Sequence, residues 1–195
     1  MEKKTDRRTR YTRMVIKDAL LELLKEKTIS AITITDICRV AEINRGTLYL
    51  HYKNISEILD ELFDDALKNI DSVYASITQE EVRDYSCGYP LCIFLRKSAK
   101  YQPLFFSSEL RTIAVERMVK RNEEEFIGSL RRQTGQSDEA LRALLSFQLN
   151  GCFSVCQNMI NLPDDQWETI RTMIDKSLKQ GYEALKRSKP QPGDV

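Results

Sequence analysis

Histidine is nearly absent from this chain, with His51 alone among 195 residues, and only five prolines and seven glycines interrupt it. A single imidazole rules out metal centres or triads assembled from several histidines. There is no glycine-rich phosphate loop and no nucleophile elbow. Adjacent carboxylates such as Glu123 and Glu124 lie in a charged run that reads as a solvated helix face. An enzyme is therefore not expected, and neither is a cofactor or a metal. No stretch approaches the roughly 20 uninterrupted apolar residues that a membrane helix needs, and no apolar run follows the N-terminal positive charges. A cytoplasmic protein that does not enter the membrane is expected. The five cysteines (Cys38, Cys87, Cys92, Cys152, Cys156) are an odd number without regular pairing, which suits reduced thiols. Cys152 and Cys156 lack further ligands for a metal and read as small buried side chains.

Net charge is also scarce, at +1, but it is unevenly spread. Residues 1–53 carry 12 Lys/Arg against 7 Asp/Glu, a surplus of +5 that leaves −4 for the remainder. A basic head on an acidic body suits a protein that presents one end to a polyanion. The 42% hydrophobic and 30% charged content is that of a folded domain.

Apolar residues recur at helical spacing throughout, so the expected fold is all-α. A first helix over residues 10–27 carries Val15, Ile16, Ala19, Leu20, Leu23 and Leu24 on one face and Lys17, Glu22 and Lys25 on the other. Two short helices follow, the first capped by Thr35 and the second, residues 45–52, by Asn44. Only Glu42, Ile43 and Asn44 separate them, which is the geometry of a helix-turn-helix with Ile43 at the junction. Asn54 and Glu57 are spaced as a capping box opening a long fourth helix to about residue 76.

The second short helix has unequal faces. Leu48 and Tyr52, four apart, can pack inward, leaving Arg45, Thr47, Tyr49, Leu50, His51 and Lys53 for solvent or a ligand. In a major groove Leu50 can touch thymine methyls and Arg45 can reach guanine O6 and N7, while Gly46 lets the backbone come close. Tyr49, His51 and Lys53 can donate to phosphates, and Thr33 and Thr35 offer hydroxyls and helix-terminal N–H groups to another. The arm containing Arg7, Arg8, Arg10 and Arg13 can track the backbone.

The run Ile34-Thr35-Asp36-Ile37, with Ala41, Ile43 and then Gly46-Thr47-Leu48-Tyr49-Leu50-His51-Tyr52-Lys53-Asn54, resembles the DNA-binding domain of the tetracycline-repressor (TetR) family of bacterial regulators across residues 10–62. The resemblance implies that Thr47, Tyr49, Leu50 and His51 belong to a recognition helix, and that the remaining helices form a dimeric domain sensing a small molecule. Two departures stand out. Glu42 occupies a position where many members have glycine, so the turn is expected to form without a left-handed cap. Ile55 replaces a lysine that many members use to grip phosphate, with Lys53 or the basic arm as a substitute.

The expected organisation is a basic arm (residues 1–9), a helix-turn-helix domain (10–54), a helical regulatory and dimerisation domain (55–187) and a disordered tail (188–195). In the body, residues 140–160 are apolar almost all round, which places Leu145, Leu149, Phe153 and Cys156, with Ile170 and Ile174 of the last helix, at a four-helix dimer interface. Tyr89, Phe94, Tyr101, Phe105, Phe126 and Phe147 are candidates for a ligand pocket, each equally able to serve as core. The expected partners are a double-stranded palindromic DNA operator, a second copy of the chain, and a small-molecule or protein effector. An adaptor whose body binds a protein partner is the alternative.

Overall fold

The computed structural model describes residues 2–76, 91–121 and 126–186, and among them every regular element is a helix. The chain divides into two compact units, residues 1–71 with 98–114 and residues 72–97 with 115–195.

In the first unit, α1 (Glu2–Leu23) buries Ile16, Ala19, Leu20 and Leu23 along one stripe. It starts well before residue 10, because the Lys- and Arg-rich residues 2–9 contain no glycine or proline to stop it. The expected basic arm is thus the first turns of a helix. The helix ends at Leu23 rather than residue 27, where the chain turns into a single 3-10 turn, Ile29–Ala31. Thr33, not Thr35, caps α2 (Ile34–Val40): its hydroxyl accepts from the Asp36 N–H while the Asp36 carboxylate accepts from the Thr33 N–H. Those Thr33 hydrogen bonds, reinforced by Lys27, hold the Asp36 carboxyl down at about 2.

The turn after α2 corrects one expectation. Glu42 has φ 52, the left-handed conformation that glycine tolerates best. The N–H of Ile43 reaches the Cys38 carbonyl at 3.0 Å and that of Glu42 reaches Arg39, the paired bonds of a Schellman cap. The left-handed cap therefore forms without a glycine, and its cost falls on Glu42. Glu42→Gly is expected to raise stability by about 0.5–1 kcal/mol, read as a higher urea midpoint with unchanged slope.

Asn44 caps α3 (Arg45–Tyr49) by accepting from Thr47 N–H at 2.7 Å. The helix stops at Tyr49, with Leu50 as its C-cap, rather than running to residue 52. α4 (Ile55–Ser76) closes the core with Ile58, Leu62, Phe63, Ala66 and Ile70. Phe105, from α6 (Gln102–Phe106), meets Phe63 edge-on at 6.1 Å, and Tyr101 contacts Asn69 at 3.2 Å. These contacts return residues 98–114 to the first unit.

The second unit contains α5 (Leu91–Lys97), which buries Leu91, Phe94 and Leu95, and α8 (Gly128–Thr134), closed by left-handed Gly135. α7 (Arg111–Arg121) spans the division between the units. α9 (Asp138–Met159) is capped by Ser137 and α10 (Asp164–Leu185) follows after Pro163. Arg96 of α5 lies 5.1 Å from the centroid of the Trp167 ring and donates to the Leu162 carbonyl at 2.8 Å, tying α5 to the α9–α10 turn.

Two groups of candidate residues are placed differently from expectation. Leu145, Leu149, Phe153 and Cys156 are already buried within the protomer, so they have almost no area left to lose in a dimer. The opposite phase of α9 faces solvent, where Phe147 is 76% exposed. Ile170 and Ile174 are half-buried, and Met173 beside them is 62% exposed. Of the pocket candidates, Tyr101 and Phe105 belong to the first unit and Phe94, Phe126 and Phe147 to the second, while Tyr89 lies outside the described residues, as does the tail 188–195. Phe94 and Phe105 are core, Phe126 packs edge-on against Tyr182 at 6.0 Å, and Phe147 faces solvent.

Candidate nucleic-acid interface

The two faces of α3 and its C-terminal turn differ as the sequence spacing requires. Leu48 and Tyr52 are buried, while Tyr49 is 54% and Leu50 is 82% exposed. Arg45, Gly46 and Lys53 are exposed alongside them, and Thr47 and His51 are half-exposed. An isoleucine-sized apolar side chain so fully in water at the end of a capped helix gains nothing for the fold. Thr33 and Thr35, at the start of α2, are also exposed. Arg45 Nη2 donates to Thr35 Oγ1, which brings two of the candidate residues together across the helix-turn-helix. A Cβ added at Gly46 would sit 3.3 Å from the Asn44 cap oxygen, so the glycine leaves that cap undisturbed as well as keeping the surface low.

The start of α4 is fixed by Asn54, which accepts from Glu57 N–H at 3.0 Å, and by Glu57, which accepts from Lys53 N–H at 2.8 Å. The reciprocal bond thus falls one residue earlier than in a strict capping box. Ile55 is half-buried.

What holds α3 in place includes a polar node absent from the sequence reading. The Glu61 carboxylate of α4 accepts from Arg13 and Lys17 of α1 and from the Tyr52 hydroxyl at 2.9 Å. Lys17 also pairs with Asp65, and the Arg13 guanidinium lies 4.9 Å from the Tyr52 ring centroid. Burial alone would push Glu61 up, but the bonds from Arg13, Lys17 and Tyr52 outweigh it and bring the carboxyl down to about 2. Burial and then Glu61 push the Tyr52 phenol well above its usual range, so it remains a donor. Arg13 is therefore engaged within the head, with its side chain 41% exposed. Lys17, read as solvent-facing, belongs to the same node. The signal was present in the sequence as two i,i+4 pairs of opposite sign, Arg13 with Lys17 and Glu61 with Asp65, on helices that must pack together.

The geometry is that of a rigid platform exposing one short helix. Residues 16–62 match the model of a family described as bacterial regulatory proteins, tetR family. The chain is 40% identical over 50 residues to the uncharacterized HTH-type transcriptional regulator YxbF of Bacillus subtilis (strain 168), covering 26% of this chain and 13% of that protein. It is 30% identical over 70 residues to the HTH-type transcriptional regulator AcrR of Shigella flexneri, covering 36% of this chain and 33% of that one. The matched stretches therefore span a third or less of those relatives' own lengths. Among solved structures, the TetR family repressor AlkX from Dietzia sp. strain DQ12-45-1b, implicated in biodegradation of n-alkanes, is 20% identical with a TM-score of 0.44, covering 89% of this chain and 98% of that chain. Among the described residues no helix is long and apolar enough to cross a membrane. Residues 16–62 thus resemble the helix-turn-helix region of the tetR family of bacterial regulatory proteins and of the transcriptional regulators that share it.

Proposed function

We propose that the chain acts in the cytoplasm as a homodimeric repressor, setting α3 of each copy into successive major grooves of a palindromic operator. The observation that carries this reading is the exposure of Leu50 and Tyr49 beside the buried Leu48 and Tyr52. Leu50 meets thymine methyls, Arg45 leaves Thr35 for a guanine edge, and Tyr49, His51, Lys53, Thr33 and Thr35 engage phosphates. A dimer doubles these contacts with fixed half-site spacing. A small-molecule or protein effector that prefers a different separation of the two heads weakens operator binding by linkage.

Arg45→Ala and Tyr49→Ala are each expected to weaken specific binding by about 1–3 kcal/mol while leaving the dimer intact. Selection of bound sequences from a random DNA pool supplies the operator, and mobility shifts at fixed salt then give the affinities. Unchanged binding by both variants sinks this contact map.

The solvent-facing sides of α9 and α10, marked by Phe147 and Met173, are the surfaces proposed to pair between copies, with half-buried Ile170 and Ile174 at their edge. Phe147→Asp combined with Met173→Asp is expected to halve the mass seen by sedimentation. A full-mass species at the same concentration places the interface elsewhere.

A further inference from the structure

The face of α1 turned away from the core carries its charges in two blocks. Arg7, Tyr11, Met14, Asp18 and Glu22 follow one another at helical intervals, so they form a single stripe along the helix. Arg7, Tyr11 and Met14 are exposed. Tyr11, Val15, Asp18 and Glu22 line a groove of about 410 Å³, and Glu42 of the left-handed turn lines it as well. Asp18 pairs with Lys100 at 2.6 Å and Glu22 with Lys25 at 2.5 Å, but neither lysine lines the groove. A carboxylate can accept several donors at once, so both keep capacity for a further cation. The stripe thus runs from a cation, through an apolar middle, to anions. A DNA duplex does not match its whole length, because phosphates would meet the carboxylates at the far end.

We propose that this stripe is a docking surface for a second copy of the chain, α1 lying antiparallel against α1 about a two-fold axis. In that order Arg7 faces the partner's Glu22, Tyr11 faces the partner's Asp18, and Met14 faces the partner's Val15. Each pairing occurs twice, because a two-fold contact repeats itself. The guanidinium and the phenol hydroxyl donate and the carboxylates accept, while the apolar residues meet at the axis. The stripe covers about 22 Å of helix, so a shallow crossing keeps both charged ends within reach. Exposed ion pairs are individually weak, which makes this a low-affinity contact added to the pairing through α9 and α10.

The contact uses no residue of the α9 and α10 surface and its test contains no DNA, so it stands or falls apart from the operator-binding reading. The full chain is followed by sedimentation equilibrium from dilute to concentrated solution at low salt, with thermal melts to establish that each variant is folded. The wild type is expected to show a weak association step that added salt diminishes. Arg7→Glu and Glu22→Arg are each expected to weaken that step by about tenfold, since each sets like charges together twice. Arg7→Glu combined with Glu22→Arg on one chain is expected to restore it to within about threefold of the wild type, because the exchanged charges still face each other. A wild type without a concentration-dependent step overturns the proposal, and so does a double variant as weak as either single one.

Discussion

Glu61→Ala is expected to lower stability by about 2–3 kcal/mol, a melting temperature reduced by about 5–10 °C for a chain of this size. The carboxylate is the common acceptor for Arg13, Lys17 and Tyr52, and its side chain is 24% exposed. Removing it leaves the buried Tyr52 hydroxyl without this acceptor, and that desolvation cost dominates the loss. Lys17 keeps Asp65, which limits the effect. The pH dependence follows from the direction of the shift. Glu61 is held at about 2 against an ordinary value of 4.5, so its contribution is fully present above that ordinary value. It fades as pH falls toward about 2, where the folded-state carboxyl itself takes a proton. Urea unfolding of both proteins should accordingly show the full difference at neutral pH and a shrinking one below about pH 4. A pH-independent difference would assign the loss to packing rather than to the ionised node.

Leu50→Glu is expected to do the reverse, abolishing function while sparing the fold. With 82% of Leu50 already in solvent, the substitution should change stability by no more than about 0.5 kcal/mol. On DNA the same change loses the apolar contact with the groove and sets a carboxylate among phosphates, at a cost of about 3 kcal/mol, roughly a hundredfold in affinity. Mobility shifts and thermal melts on one preparation separate the two quantities. Retained operator affinity would place the DNA on some other surface, and a large loss of melting temperature would mean that Leu50 serves the fold. The contrast between Glu61 and Leu50 thus distinguishes residues that hold the recognition helix from those it presents.

Helix type and the helix-turn-helix were legible because they depend on spacing along a single element. Leu48 and Tyr52 fall on the same face of one turn whatever surrounds them, and Asn44 and Ser137 stand where their side chains can cap the helices that follow. Thr33 was missed in favour of Thr35 because two threonines two apart offer the same hydroxyl, and only the backbone conformation selects between them. Glu42 was misjudged for a related reason. Propensity disfavours a left-handed glutamate, but the Ile43 and Glu42 N–H bonds to Cys38 and Arg39, together with packing on both sides of the turn, force that conformation.

The body is where spacing along one helix ceases to suffice. α9 is apolar on more than one side, so periodicity does not say which side faces the protomer and which faces outward. Tertiary packing decided it, burying Leu145, Leu149, Phe153 and Cys156 and leaving Phe147 in solvent. The same holds for the Glu61 node, whose members lie 48 residues apart in the Arg13–Glu61 contact. The sequence by itself determined the helical elements, their caps and the presented face of α3, since those are local consequences of residue type and period. Only the tertiary structure decided which charges meet and which face of α9 is spent inside the protomer, because each requires distant segments to be brought together.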